Sequence, residues 1–412
     1  MPRDFEIRPV TPDEVEAYTR APLAAFGETF DPERFKLEWT HHELDRTLAA
    51  FDDGEIVGTG RLYSLELTLP GGALEPVAAV SWISVLPTHR RQGILTAIMG
   101  RELDDTVARG ESMAVLHASE GGIYRRFGYG IAASSIAFTL PRQHAAFLRP
   151  PPEGGRVRLV DEETARKVFP DIFDRARRQQ PGAVSRVDEW WGNELFYVEK
   201  KEEGTRFFVI YESADRDLDG YAAYKIVPRW TDDGVSRNRL EVRDLVTVTP
   251  DARAVLWRYL CDVDLVETIS AGSCPVNEPL RWLLAESRRF YVNRLSDGLW
   301  VRILDAPVAL SARRYAATER IVLDVHDEFR PDGDAAGRFA LEGGPDGAQC
   351  ERTNGDPDLA LGVADLGAGY LGGVTFSTLA RAGLVEERTP GALARADGMF
   401  RTDPAPFVMT EF

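Results

Sequence analysis

The sequence is poor in cysteine, and the three that it contains, Cys261, Cys274 and Cys350, lie far apart. An odd number of cysteines without a Cys-x-x-Cys spacing is typical neither of a disulfide framework nor of a zinc site. We therefore expect free thiols in a reducing cytoplasm, and no metal.

Long apolar runs are also lacking, since a membrane-spanning helix needs about 20 consecutive apolar residues. The first ten residues lack the apolar core of a signal peptide. Basic residues are outnumbered, with 49 Lys and Arg against 66 Asp and Glu, a net charge of −17. Non-specific nucleic-acid binding needs a basic surface, so neither nucleic acid nor a membrane is an expected partner. The acidic balance favours cationic substrates, although a negative surface also serves solubility alone.

The length of 412 residues is enough for two or three domains, each with its own core. A content of 44% hydrophobic and 28% charged residues is ordinary for a globular protein. The proline- and glycine-rich stretch Pro150–Gly155 is typical of a linker, and a third segment begins near Gly298. We expect domains at 1–150, 151–297 and 298–412.

One stretch, Ser81–Gly130, combines an extended run, a basic turn and a helix. The extended run ends at Pro87, which cannot continue a strand ladder. The polar turn Thr88–Gly93 follows. Apolar residues at helical spacing begin at Ile94, and Gly110 ends the pattern.

Such a unit is suited to anion binding, because unpaired N–H groups and the positive helix end meet at the turn. Gly93 allows close approach of a ligand to the backbone, since it has no Cβ. Arg90 and Arg91 add charge-assisted donors for phosphate oxygens. The expected ligand is a diphosphate attached to a group that lies along the preceding strand. A basic surface turn without a ligand is an equally weighted alternative on these residues alone.

The turn resembles the acyl-CoA signature of the GNAT N-acetyltransferases, [Q/R]-x-x-G-x-[G/A], at Arg90-Arg91-Gln92-Gly93-Ile94-Leu95. Leu95 departs from the last position. The strings PTHRRQGILTAIM and VLHASEGGIYRRFGYG resemble the Eis branch of that family, the aminoglycoside acetyltransferases, which tolerates leucine there. The resemblance runs the full length of the chain. It implies an α/β fold with mixed sheets, in which tandem GNAT domains precede a sterol-carrier-like domain. It also implies acetyl-CoA as co-substrate and a homo-hexamer.

The second domain repeats the element order of the first, with Pro250 in the place of Pro87. A basic residue is kept at Arg253, but Leu256 stands where the first domain has Gly93. We interpret this as a degenerate repeat that does not bind acyl-CoA. Two unrelated units with a coincidental proline are the alternative.

Three residues of the second domain, Arg186, Trp190 and Trp191, are conspicuous in SRVDEWWGNELF. Adjacent tryptophans on a helix do not face one core together, so one is free to line a cleft or an interface. We interpret the group as aromatic core plus an inter-domain contact, outside the site.

Element boundaries follow from the same patterns. A first helix is expected to end at Phe26, and a second to run from Asp31 to about Thr47. The strand Ala132–Leu140 is assigned to the first domain, and the strand Leu299–Leu304 to the third. Asp53-Gly54 indicates a hairpin.

The resemblance implies further co-substrate contacts. The main chain of Ile83 and Val85 is expected to bond the pantetheine arm as a neighbouring strand would. Ile94 opens the helix at the phosphates, and Ser119 is assigned to pantetheine.

Tyr124 matches the general acid of the family by its position in SEGGIYRRFGYG. A phenol, with a reference pKa of about 10, can protonate a departing thiolate. Tyr129 is a rival by chemistry, and we interpret it as packing with Phe127. The resemblance implies that the α-carboxylate of Phe412 is the base. Its reference pKa of about 3.3–3.7 is low, but burial beside other acids would raise it. A disordered C-terminus is the alternative on sequence alone.

Substrate recognition is expected from acids and aromatic walls. Glu411 and Glu28 match family positions that engage cationic amines, although better-known members carry Asp at the latter. Phe26 and Trp82 would supply apolar walls. His117 shares a strand face with Ser119 if the two-residue alternation continues; it either assists proton removal or is a satisfied strand histidine.

We therefore expect an acetyl-CoA-dependent N-acetyltransferase acting on multi-amine cations by direct transfer. No nucleophile motif such as G-x-S-x-G is present. One alternative is the same chemistry on a protein lysine or a polyamine. The other is a non-catalytic module that binds acyl-CoA or lipid.

Overall fold

The computed structural model describes residues 5–32, 35, 43–197 and 204–412. Its strands are β1 (Glu6–Pro9), β2 (Thr47–Asp52), β3 (Glu55–Thr68), β4 (Leu74–Val85), β5 (Met113–Leu116), β6 (Gly130–Ile131), β7 (Ser134–Pro141), β8 (Arg156–Val160), β9 (Thr205–Glu212), β10 (Leu218–Val227), β11 (Asn238–Thr247), β12 (Val266–Pro275), β13 (Tyr291–Asp297), β14 (Trp300–Ile303), β15 (Glu319–His326), β16 (Gly337–Gly344), β17 (Gly347–Arg352), β18 (Leu359–Gly362) and β19 (Val385–Glu387).

The helices within the described residues are α1 (Val15–Phe26), α2 (Ile94–Ala108), α3 (Glu162–Arg177), α4 (Asp188–Trp190), α5 (Pro250–Asp262), α6 (Leu280–Leu283), α7 (Ala306–Ala312), α8 (Val363–Tyr370), α9 (Phe376–Arg381) and α10 (Ala392–Phe400). A π-helical turn, Trp191–Phe196, continues α4, and a 3₁₀ turn spans Tyr124–Phe127. None of the described helices has both the length and the apolar character that crossing a bilayer requires.

Two seven-stranded mixed sheets share one strand order. The first sheet is β1-β2-β3-β4-β5-β14-β6, and the second, read from its other end, is β8-β9-β10-β11-β12-β7-β13. In each sheet one parallel pair, β4 with β5 or β11 with β12, lies among antiparallel neighbours. The predicted repeat of the element order is therefore present as a repeat of topology.

The assignment of two strands from the sequence is wrong. β7, expected to complete the first domain, pairs with β12 and β13 in the second sheet. β14, expected to begin the third segment, lies between β5 and β6 in the first sheet. An apolar strand pattern indicates that a strand is buried, but it does not specify which sheet the strand joins. The boundaries 1–150, 151–297 and 298–412 remain a prediction. Because β7 and β14 each belong to a sheet on the other side of a predicted boundary, these strands link the predicted domains.

The third sheet, β17-β16-β15-β18-β19, packs through helix α8 onto the first. The contact is so close that glycine is required on both sides. A Cβ at Gly130 would lie 1.8 Å from the carbonyl oxygen of Ala364, and one at Gly367 would lie 2.3 Å from that of Val301. One buried core, which includes Val115 of the first sheet, continues from there into the third.

Local predictions fare better than strand pairing. α1 ends at Phe26 and α2 begins at Ile94, as predicted. Asp53 and Gly54 both have positive φ, 50° and 85°, in the β2–β3 hairpin. The second helix, predicted from Asp31 to about Thr47, falls largely outside the described residues, and Thr47 itself begins β2.

Candidate active site

The parallel strands β4 and β5 separate where the predicted site begins. Their pairing runs from Ala78 opposite Ala114 to Val80 opposite Leu116 and then stops, although β4 continues to Val85. A cavity of about 1070 Å³ opens beyond this point. Trp82, in β4, has a φ of 54°, and the register of β3 against β4 shifts at the same place. This register shift is a β-bulge, which bends β4 where Trp82 lines the cavity.

The free edge of β4 presents main-chain groups to this gap. The N–H of Leu86 donates to the carbonyl of Val57 on β3, at 2.9 Å. Because successive residues of a strand direct their polar groups to opposite edges, those of Val85 and Ile83 point away from β3. A chain lying in the gap would find the donors and acceptors of a missing neighbouring strand.

The turn after β4 is open and basic. Gly93, at the N-cap of α2, has a φ of 89°, which a side chain rarely allows, and no side chain caps the helix. Arg90 and Arg91 are exposed, and neither forms an ion pair with any other described residue. Ile94 is buried and anchors the first turn of the helix in the core. Free cations and uncapped N–H groups at one helix end fit a diphosphate.

In the matching turn of the second sheet, side chains of the protein already occupy the groups that would bind a phosphate. Thr249 caps α5 through its hydroxyl, which accepts from the N–H of Ala252 at 3.2 Å. Arg253 forms an ion pair with Glu278, whose side chain is fully buried. Leu256 is also buried. A phosphate would meet neither a free cation nor an uncapped helix, which agrees with the interpretation of this domain as degenerate.

The cavity brings together predicted residues from both ends of the chain. Those that line it are Phe26, Glu28, Trp82, Ile83, His117, Ser119, Tyr124, Glu411 and Phe412. The other predicted residues, Val85, Arg90, Arg91, Gly93 and Ile94, do not line it and lie further along the same strand and turn. Pantetheine-binding, acid, base and substrate candidates thus share one space.

Tyr124 lies in the 3₁₀ turn and is 4% exposed. Burial raises the pKa of its phenol, a nearby hydroxyl of Ser119 acts in the opposite direction, and the charge of Glu102 adds to the rise. The group therefore keeps its proton at neutral pH, as a general acid must. Tyr129 packs edge-on against it, with ring centroids 6.3 Å apart, and does not line the cavity.

His117 is held by the C-terminal segment. Its Nε2 donates to the carbonyl of Thr410 at 3.1 Å, since a carbonyl only accepts. Burial lowers the pKa of the imidazole, and the charge of Glu411 offsets part of that effect. β5 ends at Leu116, so the alternation used to align His117 with Ser119 does not extend to them. The two nevertheless line the same cavity.

Two residues that we placed outside the site contact it. Trp190 donates through Nε1 to the carbonyl of Glu411 at 2.8 Å, and Arg186 donates to the carbonyl of Met409 at 2.7 Å. Trp191 is buried in the core of the second domain, as one member of the pair was expected to be. The adjacent tryptophans were the sequence signal, but the partner of Trp190 is a segment more than two hundred residues away.

Four carboxylates contribute to the lining of the cavity. Glu28, Glu411, Asp31 and Glu194 line the cavity, and the last two were not predicted. Their proximity was not visible in the sequence, because they come from three separate segments. A cleft lined with carboxylates favours cationic ligands.

A second cavity, of about 1350 Å³, lies beyond the end of the β11–β12 pairing. It shares His117, Trp190, Glu194, Thr410 and Glu411 with the first, so the C-terminal segment forms a wall common to both. Across the described part of the chain, no group of three or more His, Cys, Asp or Glu residues is arranged to hold a metal ion.

Three family models match the chain in order. Residues 6–132 and residues 182–303 each match an acetyltransferase (GNAT) domain. Residues 306–409 match a sterol carrier protein domain. The predicted fold class, two GNAT domains followed by a sterol-carrier-like domain, is confirmed.

Two curated relatives and one solved structure match over most of their length and carry N-acetyltransferase or Eis names. An uncharacterized N-acetyltransferase of Streptomyces avermitilis is 37% identical over 98% of this chain and 98% of its own. The N-acetyltransferase Eis of Mycobacterium tuberculosis is 37% identical over 85% of this chain and 84% of its own. The crystal structure of Eis1 from Mycobacterium abscessus has a TM-score of 0.88 at 37% identity, covering 99% of this chain and all 100% of that one.

Proposed function

The chain belongs to the Eis branch of the GNAT N-acetyltransferases, and on that premise we propose that it acetylates polycationic amines of the aminoglycoside class. Transfer from acetyl-CoA is direct, at one or more positions of the same substrate. One observation carries the proposal: the opening between β4 and β5 leads into a cavity that Tyr124 and several carboxylates line together.

The co-substrate lies along the free edge of β4. Acetyl-CoA supplies the acetyl thioester. Arg90, Arg91 and the N–H groups after Gly93 bind its diphosphate at the uncapped start of α2. The main chain of Ile83 and Val85 bonds the pantetheine arm, which the outward direction of these groups supports.

Two groups move protons. Tyr124, protonated because its pKa is raised by burial, protonates the departing thiolate. The α-carboxylate of Phe412 takes the proton of the attacking amine, directly or through a water. His117, whose pKa burial lowers, stays neutral and holds the last residues in place through Thr410. Main-chain N–H groups of β4 stabilise the developing oxyanion.

The acids of the cavity select the substrate. Glu28 and Glu411 pair with ammonium groups of the amine, and Phe26 and Trp82 give apolar contacts to its rings. The second cavity, which Glu194 and Glu411 also line, gives room for a long cation with several amines. The net charge of −17 adds long-range attraction.

We further propose a homo-hexamer in the cytoplasm. The edge strand β13 supports assembly, because the side chain of Leu295 is 69% exposed there. Apolar side chains on an open strand edge favour contact with another chain. Sedimentation of the wild type beside Leu295→Asp tests this: the hexamer should become smaller species, and an unchanged hexamer would remove β13 from the interface.

The experiment that tests the activity is a panel of amines with acetyl-CoA. Thiol release is followed and the product masses are measured, which gives the number of acetyl groups per molecule. Aminoglycosides should give at least one acetyl adduct. Turnover of only polyamines or protein lysines would replace the substrate class and keep the chemistry. Tight acetyl-CoA binding without turnover of any amine would leave a non-catalytic module.

A further inference from the structure

The C-terminal segment, residues 401–412, has no regular structure, yet the second domain holds it at several points. The amide side chain of Gln180 donates to the carbonyl of Ala405 at 2.8 Å. The N–H of Phe407 donates to the carbonyl of Pro181 at 2.9 Å. Closer to the end of the segment, His117 and Trp190 bond to the carbonyls of Thr410 and Glu411, and Arg186 makes two further bonds.

Arg186 directs its guanidinium at the segment and at Asp244, a partly buried acid. Nη2 donates to the carbonyl of Met409 at 2.7 Å, and Nε donates to the hydroxyl of Thr410 at 3.1 Å. Nη1 donates to Asp244 at 2.7 Å and to the hydroxyl of Tyr221 at 2.9 Å. Every nitrogen of the group thus has an acceptor. Such fixed multidentate bonding is a property of arginine that lysine lacks.

The arginine has little freedom to move. Its side chain is 1% exposed. Its guanidinium carbon lies 3.6 Å from the ring centroid of Trp190 and 3.9 Å from that of Phe173. The hydroxyl of Tyr221 donates to Asp244 at 2.7 Å and so fixes the acid as well. We call Arg186, Tyr221 and Asp244 the clamp.

The clamp acts two residues before the proposed base. A segment of n residues reaches at most about 3.3–3.6 Å per residue, so an anchor at Thr410 confines the carboxylate of Phe412 to a short radius. Trp190 adds a bond to the carbonyl of Glu411, between the anchor and the end. Without the anchor, the last residues would sample many conformations, and a base that is misplaced by about 1 Å can cost about 100-fold in rate.

We propose that Arg186 is a positioning residue, which holds the C-terminal segment so that its terminal carboxylate reaches the amine in the first domain. The inference rests on the proposed role of Phe412. It gives the degenerate second domain a function in catalysis: this domain carries the clamp, although its own phosphate turn is filled.

The test compares Arg186→Met and Arg186→Lys with Arg177→Met. Arg177 is also buried in the second domain, and its ion-pair partners are Glu66 and Asp174 rather than residues of the segment. Because a misplaced base slows the reaction steeply, we expect kcat to fall at least about tenfold in Arg186→Met. The KM for acetyl-CoA should stay unchanged. Arg186→Lys should recover part of kcat, while Arg177→Met should keep it.

A second readout does not depend on activity. Carboxypeptidase should release Phe412 faster from Arg186→Met than from the wild type or Arg177→Met, as measured by mass. Equal release would overturn the inference. If Arg186→Met does not fold, Asp244→Asn and Tyr221→Phe remove the support of the clamp and are expected to give the same two effects in weaker form.

Deletion of Phe412 separates this inference from the proposed base. In the deleted background, Arg186→Met should cause no further loss of kcat, because the two changes remove one function. A further loss by the same factor would show that Arg186 acts otherwise and would overturn the inference. If deletion alone leaves kcat intact, the proposed base is wrong, while the protease experiment still reports whether Arg186 holds the segment.

Discussion

His117 and Phe412 meet edge to face, with ring centroids 4.6 Å apart. One follows β5 of the first domain, and the other is the last residue of the sequence. Their contact places the end of the chain in the gap where β4 and β5 separate. The acid candidate Tyr124 lines the same cavity, so the candidates for both proton transfers lie in one space.

Replacement of Tyr124 by phenylalanine is expected to lower kcat by roughly 100-fold or more, the usual contribution of a general acid. Binding of acetyl-CoA should persist, because only one hydroxyl is lost. The measurement is thiol release at saturating acetyl-CoA.

Tyr129→Phe is the matched control. Its hydroxyl is buried, has no hydrogen-bond partner among the described residues and does not line the cavity. Its kcat should stay close to that of the wild type. Full activity in Tyr124→Phe, or an equal loss in both variants, would remove Tyr124 from the acid role.

Replacement of Arg90 by alanine is expected to raise the KM for acetyl-CoA about tenfold, the effect of one charge-assisted bond. The increase should shrink at high salt, because salt screens exposed charges. Arg101→Ala serves as the control, since Arg101 lies on α2, the helix that follows the turn, and pairs with Asp105. An Arg90 variant with an unaltered KM would exclude this residue from the phosphate site.

Short-range features of this fold were predictable, and long-range pairing was not. The start of α2 at Ile94 and the hairpin at Asp53-Gly54 depend on neighbouring residues, which the sequence displays directly. The sheet that a strand joins depends on segments far away, as the exchange of β7 and β14 demonstrates. A period-two alternation of apolar and polar residues does not identify the strand with which it pairs.

The same limit applies to the candidate site. Tyr124 and Gly93 come from one motif, and a family resemblance was enough to single them out. Arg186 was noticed as part of an aromatic cluster, but its function depends on Met409 and Thr410, which only the folded chain brings to it. Glu194 was missed for the same reason, because it lines a wall that no single segment contains.

Replacement of Glu28 by glutamine is expected to raise the KM for a multi-amine substrate several-fold, with kcat little changed. Exposed ion pairs contribute about 0.2–1 kcal/mol, which sets the modest size of the effect. The measurement is initial rate against amine concentration at saturating acetyl-CoA. Glu16→Gln is the control, because Glu16 pairs with Arg20 on α1 and does not line the cavity. Identical KM values for the two variants would remove Glu28 from substrate binding.

The last prediction concerns Glu102, a carboxyl on α2 that is completely buried. Neither oxygen has a hydrogen-bond partner among the described residues. Burial, with repulsion from Asp105, raises its pKa well above the usual value. The folded protein therefore holds this proton more tightly than the unfolded chain, whose glutamate pKa is about 4.3. The stability that this group contributes is complete below about pH 4.3 and is lost as pH rises toward the folded pKa.

Glu102→Gln keeps the shape and cannot ionise, so its stability should lack this dependence. The two proteins should have similar Tm values near pH 4.5, and the Tm of the variant should rise relative to that of the wild type as pH rises. Between the unfolded and the folded pKa of Glu102, the free energies of unfolding of the two proteins should diverge by about 1.4 kcal/mol per pH unit, the slope for one proton. Calorimetry from pH 4.5 to 8 measures this difference, with Glu16→Gln as an exposed control that should follow the wild type. Parallel curves for wild type and Glu102→Gln would mean that the carboxyl ionises in the folded protein much as it does in the unfolded chain.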